Sequence, residues 1–179
     1  MIVLVSGGAA SGKSEYAESL LKNFSGEKIY LATMEVRDRE SVRKVDRHRK
    51  MREGKGFLTE EHPTHIENAG IPKGSAVLLE CLSNLTANEC FGQEGIEGAE
   101  ERVFRGIMAV SEKAALLVIV SNEIFADAIL YDAYTRKYME ILASLNCRIA
   151  EKAEAVVEVI NSMPVYWKGE APCISGKPA

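Results

Sequence analysis

The sequence predicts a single α/β domain, a mainly parallel sheet with helices on both faces, and three observations carry that prediction. Short apolar runs alternate with segments of helical periodicity, joined by short connections, as in parallel sheets whose crossovers cover both faces. The apolar runs also end in polar residues, at Thr33, Glu80 and Ser121-Asn122-Glu123. In such sheets a ligand lies beyond the carboxyl ends of the strands. Finally, the first run, Ile2 to Val5, leads into Gly7-Gly8-Ala9-Ala10-Ser11-Gly12-Lys13-Ser14, which reads G-x-x-x-x-G-K-S and opens a helix.

A glycine-rich turn between a strand and a helix aims several backbone N–H groups and the helix N-terminus at one point, which makes an anion cradle. Gly7 and Gly12 can take positive φ and let the main chain approach phosphate oxygens. Lys13 can reach the β- and γ-phosphates, and the Ser14 hydroxyl can join a Mg²⁺ shell. The whole loop, Gly7 to Ser14, is therefore expected to bind a nucleoside triphosphate.

The elements follow in order. Ala17, Leu20, Leu21 and Phe24 fall at helical spacing after the loop, and Ser25-Gly26 closes that helix. Lys28 to Thr33 is a strand ending in a polar residue. Asp38 can cap a helix from about Arg39 to Glu53 with only a thin apolar stripe, Val42 and Val45. Phe57 to Glu61 is a short extended piece, His62-Pro63 breaks it, and the segment to Gly74 is loop-like. Ala76 to Cys81 is a buried strand with a carboxylate, Glu80, near its end, the arrangement of a Walker B acid. Helices are expected from about Asn84 to Cys90 and from Ala99 to Lys113, on either side of a glycine-bearing loop. Leu116 to Val120 is a strand buried on both faces, and a helix from about Ala133 to Ala153 precedes a strand at Val156 to Ile160. Val165 to Trp167 adds an edge strand, and the last ten residues form a loose tail.

With 179 residues, 46% hydrophobic and 27% charged, the chain is sized for one domain, residues 1 to 169, with the tail beyond it. No apolar run reaches membrane-spanning length, and the four-residue N-terminal run has no basic region before it, so a cytoplasmic protein is expected. A formal charge of -4 argues against general binding to nucleic acid or membrane surfaces. Cys81, Cys90, Cys147 and Cys173 are scattered, with no C-x-x-C pair, and read as reduced thiols serving mostly as packing groups. His62 and His65 read as surface residues.

One segment is strongly basic. Lys44, His48 and Arg52 are spaced i, i+4, i+8, which places an imidazole between two cations on one helical face. Such a face suits a polyphosphate, and a neutral imidazole there can attack phosphorus. Taken by itself, however, the spacing favours a solvated basic face with an incidental histidine. Glu80, ending an apolar strand in a P-loop protein, reads as an acid that holds Mg²⁺ or water.

Across residues 1 to 168 the sequence resembles the cobinamide kinase/cobinamide-phosphate guanylyltransferase family. The resemblance is carried by VSGGAASGKS, by YLAT at Tyr30 to Thr33, by Asp38-x-Glu40, by Val45-x-x-His48-x-x-x-Arg52 and by Thr59-x-Glu61. It continues through LLECL, Asn88, Val120-Ser121-Asn122-Glu123, Arg136, Asn146, Ala150, Pro164 and Lys168. The resemblance implies a RecA-like P-loop fold, assembled as a homotrimer, with two successive activities. ATP or GTP first phosphorylates the aminopropanol hydroxyl of adenosylcobinamide. The histidine matching His48 then attacks the α-phosphate of GTP, and the cobinamide phosphate takes up the GMP. The expected site comprises His48, Lys13, Arg52 and Glu80 as catalytic residues, with Ser14 and Glu80 toward Mg²⁺. Nucleotide contacts are expected from Gly7 to Ser14, Thr33, Lys44, Glu61, Glu80, Asn122 and Glu123, the last also a candidate base or metal-water ligand.

The sequence departs from the family pattern at Ile124 to Leu130, which replaces a glycine- and proline-bearing loop, and at Lys44, Phe57, Ala143 and Asn161. Two other readings therefore stay open on the residues alone. One is a simple small-molecule kinase in which His48 is never modified; the other is a non-catalytic nucleotide-binding protein.

Overall fold

The computed structural model describes residues 1 to 35, 54 to 124 and 130 to 172. The strands are β1 (Ile2–Ser6), β2 (Lys28–Ala32), β3 (Phe57–Glu61), β4 (Ala76–Glu80), β5 (Leu116–Val120), β6 (Ala155–Ile160) and β7 (Met163–Lys168). The helices are α1 (Lys13–Leu20), α2 (Leu82–Phe91), α3 (Ala99–Lys113) and α4 (Ala133–Lys152), with a 3-10 turn at Ile66–Asn68. The helix expected from about Arg39 to Glu53, most of the altered loop, and the final seven residues with Cys173 lie outside the described residues.

The strands form one sheet in the order β3-β2-β4-β5-β1-β6-β7. Every pairing from β3 through β6 is parallel, and among the described strands only β7 runs antiparallel, against β6. Because side chains alternate across a strand, each central strand feeds two cores. Ile2, Leu4, Ile29, Leu31, Val77, Leu79, Leu117 and Ile119 pack on one side with α2, α3 and α4. Val3, Val5, Tyr30, Leu78, Val118 and Val157 pack on the other, with Ala17 and Leu21 from α1 and the residue after it. Within the described residues the expected strands and helices are present, with shifts at their ends. β2 stops at Ala32, one residue short of Thr33, and α2 starts at Leu82 and runs to Phe91.

The edge strand β7 is longer than Val165 to Trp167. It joins β6 through a two-residue turn, Asn161-Ser162, with φ of 50° and 65°, the positive values that a tight hairpin needs to match strand twist. Pro164 is tolerated because this is an edge. Lys168 Nζ donates to the carbonyls of Ala150 and Glu151, each at 3.0 Å, and so caps the last turn of α4. Cys81 and Cys90 are buried, as packing groups should be, whereas Cys147 is exposed.

Leu79 has no exposed surface in the middle of the sheet. Leu79→Ala is expected to lower stability by about 2–5 kcal/mol, whereas Leu79→Met should cost less than about 1.5 kcal/mol; urea unfolding of both variants measures the difference.

Candidate active site

Parallel strands carry their carboxyl ends to one edge, and the P-loop forms where β1 ends there. Two glycines are required by geometry. Gly12 has φ of 89°, and a Cβ on it would lie 2.6 Å from Ser162 Oγ. Gly7 has φ of 156°, and its Cβ would lie 2.6 Å from the Val159 carbonyl oxygen. The loop is thus gripped from the side by the β6–β7 hairpin. The Ser162 N–H donates to the Ser11 carbonyl at 2.8 Å, and the Glu123 N–H to the Gly7 carbonyl at 3.1 Å. Gly8 is open, since a Cβ added there would meet nothing within 4 Å, and Ala9 and Ala10 are exposed. The buried Ser11 hydroxyl has no hydrogen-bond partner, an orphan that a phosphate oxygen would satisfy.

Lys13 is 8% exposed and donates from Nζ to the Gly8 carbonyl at 2.9 Å. Burial lowers its pKa below the ordinary 10.5, with Cys81 and Glu80 acting in the opposite direction. Next to it, the Ser14 hydroxyl donates to Glu80 Oε1. Glu80 Oε2 accepts from the Tyr30 hydroxyl at 2.8 Å. A hydroxyl and a carboxylate in contact, beside a phosphate cradle, form the hard-oxygen donor pair that suits Mg²⁺, whose other ligands are waters and substrate phosphates. Among the described residues no group of three His, Cys, Asp or Glu side chains is placed to hold a metal by itself.

Behind Glu80 lies a hydrogen-bonded support. The peptide bond from Glu80 to Cys81 is cis. The Thr33 hydroxyl is fully buried and both accepts from the Cys81 N–H and donates to the Cys81 carbonyl, each at 2.8 Å. Asn122 Nδ2 donates to Ser83 Oγ at 2.6 Å and approaches Cys81 Sγ at 3.5 Å. Thr33 and Asn122, both expected to contact nucleotide, therefore direct these groups at Cys81 and Ser83. Asn88 ties the assembly down by donating to the carbonyls of Thr33 at 2.8 Å and Pro63 at 2.9 Å.

Of the other expected residues, Glu123 is exposed on the same edge, its N–H bound to the P-loop. Glu61 ends β3 alongside Ala32, with β2 between it and β4. Lys44, His48 and Arg52 lie outside the described residues. His62 and His65 are partly exposed, but His65 also lines a cleft of about 350 Å³ with Glu35, Asn88, Glu89 and Glu94. The reason is a buried carboxylate. Glu89, 4% exposed, accepts from the His65 N–H and from Arg102 Nε, both at 2.9 Å.

Sequence reasoning missed two contributors. In the sequence Tyr30 stands only as part of a strand and of the YLAT motif, and its reach to Glu80 depends on strand register. Ser162 sits in a turn whose residues, Asn and Ser, are turn formers, but nothing local shows that this turn rests on the P-loop.

The sequence model of the family described as "Cobinamide kinase / cobinamide phosphate guanyltransferase" matches residues 3–166. The chain belongs to this family. It is a family of transferases, and P-loop chemistry at the sheet edge is in keeping with it. Bifunctional adenosylcobalamin biosynthesis protein CobU of Escherichia coli (strain K12) is 28% identical over 182 residues, covering 94% of this chain and 100% of that protein. CobU of Salmonella typhimurium (strain LT2) is 27% identical over 182 residues with the same coverage. CobP of Pseudomonas aeruginosa (strain PAO1) is 28% identical over 172 residues, covering 93% of this chain and 97% of that one. Among solved structures, a Pyrococcus horikoshii OT3 protein from a structural study aligns with a TM-score of 0.52 at 11% identity, over 99% of this chain and 91% of that chain. That likeness is one of fold.

The loop geometry separates two glycines of this cobinamide kinase/guanyltransferase chain. Gly12→Ala forces a left-handed alanine into a contact with Ser162, a cost of at least about 1–2 kcal/mol, so GTP affinity should fall roughly tenfold or more. Gly8→Ala should change it much less in the same fluorescence titration. Lys13 supplies a pH signature. A lowered lysine pKa means the charge is present below it and lost as pH rises, so GTP affinity should begin to fall at a pH below 10.5. Titration of affinity against pH, with Lys13→Ala abolishing the transition, checks this.

Proposed function

We propose that the chain carries out two successive transfers on a corrinoid, with ATP or GTP as phosphoryl donor and GTP as guanylyl donor. The observation that carries the reading is the meeting of Lys13, Ser14 and Glu80 at the mouth of the P-loop. Family membership over residues 3–166 supplies the substrate class. In the first transfer the aminopropanol hydroxyl of adenosylcobinamide attacks the γ-phosphorus and gives its proton to water or to the candidate base Glu123, the bond to the β-phosphate oxygen breaks, and the nucleoside diphosphate leaves. Lys13 and the loop N–H groups stabilise the charge on the transferring and departing phosphates. Mg²⁺, when bound, neutralises phosphate charge, and Ser14 and Glu80 are the residues that would hold it.

In the second transfer a neutral nitrogen of His48 attacks the α-phosphorus of GTP and pyrophosphate departs. A phosphate oxygen of cobinamide phosphate then displaces His48 to give adenosylcobinamide-GDP. The covalent step divides one nucleotidyl transfer into two displacements. Lys44 and Arg52 flank His48 by spacing and would stabilise the developing phosphate charge, with Glu61 and Glu123 as further nucleotide contacts from the same sheet edge. The working assembly in this proposal is a homotrimer in the cytoplasm. Among the described residues no helix is long and apolar enough to cross a membrane.

Intact-protein mass after incubation with GTP and Mg²⁺ tests the covalent step. The parent protein should gain one GMP, lose it in mild acid, and gain nothing as His48→Ala. GTP binding without an adduct would remove His48 as nucleophile and leave a simple kinase or a nucleotide-binding protein.

A further inference from the structure

We propose that Tyr30 is the positioning residue that presents Glu80 to the divalent cation of the bound nucleotide. The inference rests on the reading of Ser14 and Glu80 as the metal-holding pair. A carboxylate at the end of a strand turns about its side-chain torsions, and one hydrogen bond does not fix its plane. Here each oxygen has its own donor, Ser14 on Oε1 and Tyr30 on Oε2. The donors come from α1 and β2, so the carboxylate is held from two separate elements.

Strand register explains why the phenol arrives there. Tyr30 lies opposite Leu78 in the β2–β4 pairing, and Glu80 is two residues further on the same face. A long side chain from Tyr30 therefore crosses diagonally to the strand end. Its ring is held in turn, with Phe57 of β3 packed edge-on at 6.4 Å and an interplanar angle of 82°. Tyr30 is 3% exposed. A continuous chain of contacts, Phe57 to Tyr30 to Glu80 to Ser14, thus joins the outer strand of the sheet to the helix that carries the P-loop. Thr33, three residues on from Tyr30, holds both backbone groups of Cys81, so β2 and the residue just after it fix the acid's carboxylate and the main chain behind it.

The division of labour on the carboxylate is specific. Ser14 is itself expected to turn its hydroxyl oxygen toward the cation, so Oε1 is the oxygen that exchanges partners. Tyr30 holds Oε2 throughout and keeps the carboxylate from turning away when Ser14 lets go. Removing the phenol hydroxyl should weaken cation binding and leave the phosphate cradle intact, because the cradle belongs to the P-loop and the β6–β7 hairpin.

The test uses Mn²⁺ as a paramagnetic probe on the full chain with a non-hydrolysable GTP analogue, comparing parent, Tyr30→Phe and Glu80→Gln. Partners that orient a metal ligand typically contribute about 10–100-fold in metal affinity. Tyr30→Phe should lose Mn²⁺ affinity by roughly tenfold or more and keep parental affinity for the analogue in EDTA. It should also retain a single cooperative melting transition. If Glu80→Gln loses Mn²⁺ affinity and Tyr30→Phe does not, Tyr30 has no positioning role. If Tyr30→Phe weakens the analogue equally in EDTA, its role is structural and the proposal fails. If neither variant changes Mn²⁺ binding, Glu80 is not the metal-holding acid and the reading beneath the proposal falls as well.

Discussion

A triphosphate can be held by main-chain N–H groups only where the backbone comes bare to the phosphates, and this protein meets that constraint by pressing one turn against another. Gly7 and Gly12 face the β6–β7 hairpin at distances that no side chain would allow, and Ser162 closes the contact with a hydrogen bond to Ser11. The antiparallel strand β7 is therefore more than a protective edge. Its turn braces the anion cradle, and Tyr166 within it meets the Tyr16 hydroxyl on α1, where burial and that contact push the Tyr16 phenol up.

The second constraint is electrostatic. Lys13 is buried, and its ammonium is disfavoured by desolvation and favoured by the nearby Glu80. An anionic ligand restores what burial removes, so a bound phosphate would favour the charged form of Lys13. The carboxylate that helps hold Lys13 charged is the same one that Ser14 and Tyr30 grip. Charge balance and geometry therefore meet at one residue, and a change at Glu80 would disturb phosphate and cation together.

The fold was largely legible because its signals are local. The G-x-x-x-x-G-K-S spacing, the apolar runs and the helical periodicity each lie within a few residues, and Leu116 to Val120 and Ala99 to Lys113 fall where the pattern places them. The site was less legible, because its contacts are not local. Thr33 looked like the last residue of its strand, but its hydroxyl is occupied by Cys81 rather than displayed to a ligand. His65 looked like surface, and it is partly exposed, yet the buried Glu89 binds its N–H and makes it a cleft wall. A buried carboxylate that satisfies a distant backbone N–H and an arginine leaves no mark in a linear pattern.

By itself the sequence determined the α/β class, the P-loop, the acid at the end of β4 and the family to which the chain belongs, because each depends on residue type at short, regular spacing. Only the tertiary structure decided that Ser14 and Tyr30 share the carboxylate of Glu80, that Thr33 and Asn122 stand behind it, and that Ser162 braces the loop. Each of those hydrogen bonds joins residues at least 39 positions apart. They exist because parallel pairing sets the register of neighbouring strands, and register, unlike composition or periodicity, is a property of the folded sheet.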